Sequence, residues 1–478
     1  RVSADLGYQD NRLKRTRTNV ALAGVTSVPA APEGSTNWAQ PWTFSNERDL
    51  FGTLRGEWDL APGITAWGAY GLRRSEEANS LANITVSDAA TGAASTSRFD
   101  NARKDKVDTG ELGLRGKLRT GSIGHEWVVA AGTFRQDRRT AFAFDFANTL
   151  ATNLYTPVAS PQPAFSAGTF TGGALASPNL TGRTRLTSVA IGDTLSFAQD
   201  SVLLTLGARH QQLRNDNFAY GTSAPLDSYD ASRTSPAVGA VGRASKQLSL
   251  YANAIEGLTA GETAPASVNG RPVANSGQSL APYVAKQKEV GVKFDAGRFG
   301  GGLALFNTTR PRAFVGPDAV FRASGRDRHD GVELTVFGEP TRGLRLLGGA
   351  TWLDAKQENT GSAATDGKRV IGVPRLQASV GAEWSVPAMQ GLALDARVVH
   401  TGARFADDLN TLSVPGFSRL DVGARYLVDI GGRLVTLRGR IDNVTDRRYW
   451  ASVCGFPGAG YLNAGAPRTV TLSTSVDF

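Results

Sequence analysis

The chain closes on Val470-Thr471-Leu472-Ser473-Thr474-Ser475-Val476-Asp477-Phe478, in which apolar and polar side chains mostly alternate. An extended strand repeats every two residues, so the even-numbered side chains share one face and the odd-numbered ones share the other. The same alternation recurs at 111–119, 392–398 and 420–426. The apolar face often carries Gly and Ala, whereas a soluble sandwich fills it with large branched side chains. The pattern predicts the wall of a transmembrane antiparallel β-barrel.

Composition agrees with an all-β membrane wall. The 478 residues include 55 glycines, and the apolar fraction is 41%. There is no run of about twenty apolar residues, which a membrane helix needs, but a tilted strand crosses with roughly ten. The net charge of +9 comes from basic residues interleaved with acids, as in Arg55, Glu57 and Asp59. This interleaving favours a wet or plugged lumen over a nucleic-acid surface.

Short turns and long connections follow each other along the whole chain. Gly, Pro, Asp and Ser mark most of the short turns, because these residues supply the backbone angles that tight turns need. We predict short turns at 60–63, 119–122, 197–200, 244–246, 296–298, 339–342, 387–391 and 430–432. We predict long loops at about 12–47, 78–105, 142–182, 215–230, 261–284, 313–327, 358–369, 406–413 and 448–464. Short turns facing the periplasm and long loops facing outward are typical of outer-membrane barrels, and the alternation predicts eighteen strands.

Several motifs resemble those of TonB-dependent outer-membrane siderophore receptors. The clearest is Asn443-Val444-Thr445-Asp446-Arg447-Arg448-Tyr449-Trp450-Ala451-Ser452, followed by a Gly-rich loop and Gly465-Ala466-Pro467-Arg468-Thr469-Val470. Further matching segments are Arg233–Gly239, Ser249–Asn253, Lys288–Lys293, Gly331–Leu334 and Gly372–Pro374. Within that family the chain is most similar to the ferrichrome and related hydroxamate-siderophore receptors.

The resemblance implies a 22-stranded barrel around an amino-terminal plug. We therefore expect residues 1–478 to form the later part of such a barrel, with signal peptide, plug and first four strands outside the sequence. It also implies import of a ferric siderophore with energy from the TonB complex, and no cofactor, because the iron arrives already chelated. The closing strand is expected to be read by the barrel-assembly machinery through Val470, Leu472, Val476 and Phe478.

Aromatic residues of the predicted long loops are the candidate ligand contacts. Their broad apolar faces and polar edges suit a bulky iron chelate. The candidates are Trp42, Phe44, Tyr155, Phe165, Tyr220, Tyr229, Tyr283, Phe314, Trp450 and Tyr461. For each, packing within a loop or membership of an interfacial aromatic belt is the alternative.

Charged and catalytic patterns are less informative. Loop arginines are candidates for acidic ligands or for lipopolysaccharide phosphates, namely Arg98, Arg103, Arg271, Arg326 and Arg328. The four histidines lack metal-ligand spacing, and we find no catalytic motif, so we expect no enzyme and no metal site. A passive porin, an adhesin, and a transporter of haem, cobalamin or a nickel chelate stay open as alternatives.

Overall fold

The computed structural model describes residues 1–268, 271–456 and 459–476. These residues form twenty-six β-strands. In chain order the strands are β1 (Val2–Lys14), β2 (Val20–Leu22), β3 (Phe44–Ala61), β4 (Ile64–Val86), β5 (Ala93–Thr120), β6 (Ile123–Asn153), β7 (Phe170–Gly172), β8 (Leu180–Phe197), β9 (Val202–Phe218), β10 (Pro225–Arg243), β11 (Leu248–Thr259), β12 (Ser267–Val268), β13 (Arg271–Pro272), β14 (Tyr283–Asp295), β15 (Phe299–Val315), β16 (Phe321–Thr341), β17 (Leu344–Glu358), β18 (Leu376–Ser385), β19 (Leu392–Thr401), β20 (Arg404–Phe405), β21 (Ser413–Val414), β22 (Phe417–Ile430), β23 (Arg433–Asp442), β24 (Trp450–Phe456), β25 (Ala459–Ala464) and β26 (Thr469–Val476).

One sheet holds twenty-two of these strands. Eighteen of them pair antiparallel in series and form the wall, namely β1, β3–β6, β8–β11, β14–β19, β22, β23 and β26. The four short strands β2, β7, β24 and β25 attach to the end of the wall that carries the long loops. We call this the loop end and the opposite end the turn end. Within the described residues, β1 pairs only with β3 and β26 only with β23, so the wall does not close on itself.

The two faces of the wall differ in chemistry. Cross-strand neighbours lie on the same face, and Leu54, Tyr70 and Leu112 represent one face with large exposed apolar side chains. The other face carries charged groups such as Arg73 and Asp49, which are joined at 2.8 Å. We call these the apolar face and the polar face. In the closing strand, Val470, Leu472 and Val476 are exposed on the apolar face, as the alternation predicts, and Phe478 lies outside the described residues.

The eight predicted short turns are confirmed, each joining two neighbouring wall strands. Three of the predicted long loops are wrong. The strands that flank 78–105, 215–230 and 313–327 continue into them and are joined by short connections at 87–92, 219–224 and 316–320. Polar and small residues in these segments still alternate and pair across the hairpin, so strand formation extends well beyond the apolar stretch that suggested the strand boundaries.

No helix among the described residues has the length and hydropathy needed to cross a membrane.

Candidate ligand site at the loop end

Six segments that are distant in sequence share one apolar core at the loop end. They are the connection 15–43, the tips of β4 and β5, the start of the connection 154–179, and the connections 359–375, 402–416 and 443–468. The buried residues of this core are Val20, Trp38, Ile84, Val86, Ala94, Leu154, Ala406, Val414, Trp450, Val453 and Leu462. We call this group the loop cap. Because its side chains bury one another, the long connections form a packed layer above the wall.

Two indole rings fasten the loop cap through both their apolar faces and their N–H groups. Trp450 is 3% exposed and its Nε1 donates to the carbonyl oxygen of Pro29 at 2.8 Å. Trp38 is also buried, and its Nε1 donates to the carbonyl oxygen of Thr18 at 3.2 Å. The free-energy cost of burying an indole is lowest when its N–H donates a hydrogen bond. The first bond joins the first and last long connections of the chain.

Short strands extend the sheet into the loop cap. β3 begins at Phe44, which pairs with Ser80, so the tip of β4 has no β3 neighbour. β2 takes that place by pairing in parallel with Ile84–Val86, and Val20 of β2 also pairs with Leu462 of β25. The β24–β25 hairpin is thus joined through β2 to the wall near its first strands.

The connections 359–375 and 402–416 complete the loop cap and bury charge in it. Gly372 has a φ of +76°, and a Cβ there would lie 2.4 Å from the carbonyl oxygen of Val453, so only glycine fits this approach. Arg404 is fully buried and donates from Nη2 to the carbonyl oxygen of Trp450 at 2.5 Å, while its Nε and Nη1 have no partner among the described residues. Burial lowers the pKa of the Arg404 guanidinium. Burial, together with the neighbouring Asp407, raises the pKa of the Asp408 carboxyl.

A cleft of about 590 Å³ opens beside the loop cap on the polar face of the wall. Its lining consists of hydroxyl and amide side chains, a few apolar groups, three aromatic rings and one charged residue. These residues are Thr16, Arg17, Thr18, Asn19, Ala21, Ser45, Leu81, Asn83, Ile84, Thr85, Ser95, Ser97, Phe144, Phe146, Thr149 and Tyr461. An apolar and aromatic surface with a few polar groups is typical of small-molecule sites. Among the loop-end clefts of the described chain, we take this as the candidate ligand site and call it the loop-end cleft.

Two of its rings were missed by the sequence analysis. Phe144 and Phe146 lie on the same face of β6, with ring centroids 3.8 Å apart, and Phe99 meets Phe144 edge to face at 5.3 Å. Phe146 is 62% exposed, so its ring is open to a ligand. The alternation Phe142-x-Phe144-x-Phe146 was the available signal, but the predicted loop 142–182 hid it. Arg17 is the one charged residue among the described residues of the lining. No pattern in the sequence distinguishes it from the other loop arginines.

The predicted aromatic candidates fall into several places. Tyr461 lines the loop-end cleft, and Tyr155 packs against the loop cap while its hydroxyl donates to the carbonyl oxygen of Ala30 at 3.2 Å. Trp450 and Tyr283 are buried, at 3% and 4% exposure, so neither ring offers a face to a ligand. The structure favours a packing role for these two.

The remaining aromatic candidates lie elsewhere. Trp42 precedes β3, which begins at Phe44. Phe314 lies under the Arg312 guanidinium at 5.4 Å. Tyr220 meets Phe142 edge to face at 5.0 Å. Phe165 lies under the Arg98 guanidinium at 4.0 Å, and Tyr229 is on β10. The candidates therefore do not form a single cluster.

Most of the predicted arginine candidates are neutralised. Arg98 pairs with Asp100, Arg103 with Asp105, Arg326 with Glu358, and Arg328 with both Asp330 and Glu358. Arg271 lies on the exposed strand β13. In the part of the chain that the structure describes, no group of three or more His, Cys, Asp or Glu side chains is arranged to hold a metal ion.

Comparison with known sequences places the chain among bacterial receptors. The family model for the TonB dependent receptor-like β-barrel matches residues 2–444. The ferrichrome receptor FcuA of Yersinia enterocolitica is 37% identical over the whole chain, which spans 62% of that relative's length. The ferrioxamine B receptor of Salmonella typhimurium is 26% identical over 76% of the chain, which spans 49% of its length.

Solved structures agree with the sequence comparison. The ferric preacinetobactin receptor BauA of Acinetobacter baumannii is 32% identical, with a TM-score of 0.87 over 100% of this chain and 70% of that one. The siderophore receptor PiuA of the same species has the same fold, with a TM-score of 0.80 at 19% identity over 99% of this chain and 71% of that one. The extent of the family match and the identity to FcuA show that the chain belongs to the TonB-dependent receptor β-barrel family of the bacterial outer membrane.

Proposed function

We propose that this chain supplies the wall and outer loops of a receptor that captures a ferric hydroxamate siderophore and imports it. The observation that carries the proposal is the 37% identity to a ferrichrome receptor over the whole chain. In this setting the apolar face contacts lipid, the polar face lines the lumen, and the loop end faces outward. The loop-end cleft then lies where an extracellular ligand first meets the receptor.

The chemistry of the loop-end cleft supports the binding of an uncharged iron chelate. Three hydroxamate groups carry three negative charges and neutralise one ferric ion, whereas three catecholate groups leave a net charge of −3. Among the described residues that line the cleft, Arg17 alone is charged, and hydroxyl or amide groups supply the remaining polar contacts. A triply negative ligand would lose its hydration here without enough positive charge to replace it. The iron stays inside the chelate, so the protein provides no metal ligand.

A binding measurement on the intact receptor tests this proposal. A ferric trihydroxamate should bind, and a ferric tricatecholate should bind at least about tenfold more weakly. Phe144→Ala and Phe146→Ala should each weaken hydroxamate binding roughly tenfold, because truncating a central aromatic contact removes apolar area facing the ligand. Phe337→Ala is the matched control, since Phe337 is an exposed ring close to the turn end of β16. Failure of every ferric hydroxamate to bind would contradict the proposal.

We also propose that import is energised through TonB. Family membership supports this step, and uptake against a concentration gradient needs an energy source. Growth of receptor-bearing cells on a ferric hydroxamate as sole iron source should stop when TonB is deleted. Growth that continues without TonB would indicate passive passage, as in a porin.

In the intact receptor, we propose that four further strands join β1 to β26 and that a plug fills the lumen. The support is the single neighbour of β1 and of β26 among the described strands, because unpaired strand edges are costly in lipid. The greater length of the relatives also supports it. The coding sequence on the amino-terminal side should specify these parts, and its absence would contradict the proposal.

The closing strand, we propose, is recognised by the barrel-assembly machinery. Val470, Leu472 and Val476 present an exposed apolar edge-strand face, and Phe478 ends the same alternation. Deleting Phe478 should lower the amount of folded receptor in the outer membrane without changing ligand affinity of the molecules that do fold. Unchanged assembly would contradict this role.

A further inference from the structure

Two glutamates lie side by side on the polar face, directly below the loop-end cleft. Glu47 of β3 is directly opposite Glu77 of β4. Two residues nearer the loop end, Ser45 lines the cleft and pairs with Asn79. Two residues span roughly 7 Å along a strand, so the glutamates lie within reach of a ligand held in the cleft. We call Glu47 and Glu77 the acidic pair.

The acidic pair places like charges on neighbouring strands, and such an arrangement destabilises a sheet. The side chain of Glu47 is 46% exposed, so its charge is open to a ligand. Glu77 is partly buried, and its Oε1 accepts hydrogen bonds from the amides of Asn79 and, at 3.2 Å, of Asn101. These amides donate hydrogen bonds but bring no positive charge. The acidic pair therefore needs a cation.

The positive charges nearest to Glu47 are engaged with other groups. Arg73 forms two hydrogen bonds with Asp49, at 2.8 and 3.0 Å, and lies 3.5 Å from Glu47. One guanidinium thus serves two carboxylates. In the cleft above, Arg17 donates to two backbone carbonyl oxygens of the connection 15–43, at 3.2 and 3.3 Å. Arg17 is therefore held away from the acidic pair.

Glu77 has no ion pair with a basic side chain among the described residues. Arg103 is directly opposite Glu77, but its Nη2 contacts Asp105 at 2.6 Å. Arg138 follows on the next strand, directly opposite Asp105. With Glu47, Asp49 and Arg73 included, four carboxylates meet three guanidinium groups here. One negative charge is left without a partner.

Asn79 gives a second, independent sign of a missing donor. The residue is 8% exposed, and its Nδ2 donates to Glu77 and, at 3.0 Å, to Oδ1 of Asn101. Oδ1 of Asn79 is attached to the same carbon as Nδ2, so it lies beside the acidic pair. This oxygen is buried and has no hydrogen-bond partner among the described residues. Because a buried acceptor without a donor is costly, an N–H group is expected at this place.

We propose that the acidic pair and Oδ1 of Asn79 bind a primary ammonium group carried by the iron chelate. An ammonium has three donors and one positive charge, which match two carboxylates, one amide oxygen and the charge left over. The inference rests on the proposed function and narrows it to ferric trihydroxamates that end in a primary amine. The iron centre of such a chelate is neutral, and the ammonium carries its one net charge.

The test compares two chelates that differ only at the amine. One is a linear ferric trihydroxamate that ends in a primary amine, and the other is the same chelate with that amine acetylated. Isothermal titration calorimetry measures the affinity of each for the intact receptor. Wild type should bind the amine form roughly tenfold more tightly, because acetylation removes the charge and two of the three N–H donors.

Substitutions then locate the preference. Glu47→Gln and Glu77→Gln should each reduce it roughly threefold, and the double variant E47Q/E77Q should abolish it by weakening the binding of the amine form alone. Glu57→Gln is the matched control and should keep the full preference, because Glu57 lies on the same face of β3, ten residues nearer the turn end. Heat-modifiable migration on a gel shows that each variant is folded.

The outcomes separate this inference from the proposed function. Equal affinity of wild type for the two forms overturns the ammonium site and leaves the proposed function in place. Failure of both forms to bind overturns the proposed function and this inference with it. If E47Q/E77Q keeps the preference, or weakens both forms equally, the acidic pair does not bind the ammonium. Loss of the preference in E57Q would likewise overturn the assignment to the acidic pair.

Discussion

The loop cap and the wall use apolar side chains in opposite ways. In the loop cap, Trp38, Trp450 and Leu462 are buried against one another, as in a soluble core. Along the wall, Leu112 and Leu472 are left 68% and 81% exposed, because lipid covers them in the membrane. The same types of apolar residue therefore pack against protein in the loop cap and contact lipid along the wall. A substitution should have different consequences in the two regions.

The largest effect is expected from Trp450→Ala in the loop cap. The change removes a buried indole and its bond to Pro29, and should destabilise the local packing by about 3–5 kcal/mol. Amide hydrogen exchange should then accelerate in both 15–43 and 450–464, which this ring joins. Trp352→Ala is the matched control, since Trp352 is 50% exposed on the apolar face of the wall. Trp352→Ala should leave exchange in 15–43 unchanged. If Trp450→Ala leaves it unchanged as well, Trp450 does not stabilise the loop cap.

The next effect separates the two faces of the wall. Val238→Arg places a charge on the lipid-facing side of β10, and should lower the free energy of unfolding in a bilayer by about 2–4 kcal/mol near the midplane. Ala237→Arg, one residue earlier, places the same charge on the polar face and should have a much smaller effect. Urea titration of the receptor in lipid vesicles measures both. Equal destabilisation would mean that the faces are assigned wrongly.

The contrast also shows what sequence reasoning can and cannot reach. Alternation in 470–478 and the glycine-marked turns are local properties, so they predicted the all-β wall, its two faces and its turns. The tips of β4 and β5 escaped because residues 78–105 are mostly polar or small, and the burial of Ile84, Val86 and Ala94 depends on distant segments of the loop cap.

The site was harder to predict than the wall. Loop aromatics are candidates by residue type, but whether a ring is buried by packing or stays exposed to a ligand depends on residues that are distant in sequence. Trp450 forms a hydrogen bond with Pro29, which lies 421 residues earlier in the chain. Phe144 and Phe146 line one cleft together with Arg17 and Tyr461, which come from distant parts of the sequence.

A smaller effect is expected from Arg404→Met, which tests charge buried in the loop cap. Nε and Nη1 of Arg404 have no partner among the described residues, and burial lowers the pKa of its guanidinium. We therefore expect the burial of this charge to cost more free energy than its hydrogen bond to Trp450 returns. A methionine of similar length should stabilise the loop cap by about 1 kcal/mol, seen as slower hydrogen exchange in 402–416. Arg397→Met, on the polar face of β19, is the control and should leave this segment unchanged. Faster exchange in R404M would show that the buried guanidinium stabilises the loop cap.

The smallest effect is a pH dependence centred on Asp408. Burial and the neighbouring Asp407 raise the pKa of the Asp408 carboxyl above its ordinary value of 3.8, so the packed loop binds a proton more tightly than the opened loop does. Its contribution to stability is fully present below 3.8 and is lost as the pH rises through the raised pKa. The loop cap should accordingly tighten as the pH falls through that window, seen as slower hydrogen exchange in 402–416 after correction for the intrinsic rate. Asp408→Asn should remove this dependence, because an amide does not titrate. Asp366→Asn in the neighbouring connection should keep it, and a dependence that survives D408N would assign the titration to another group.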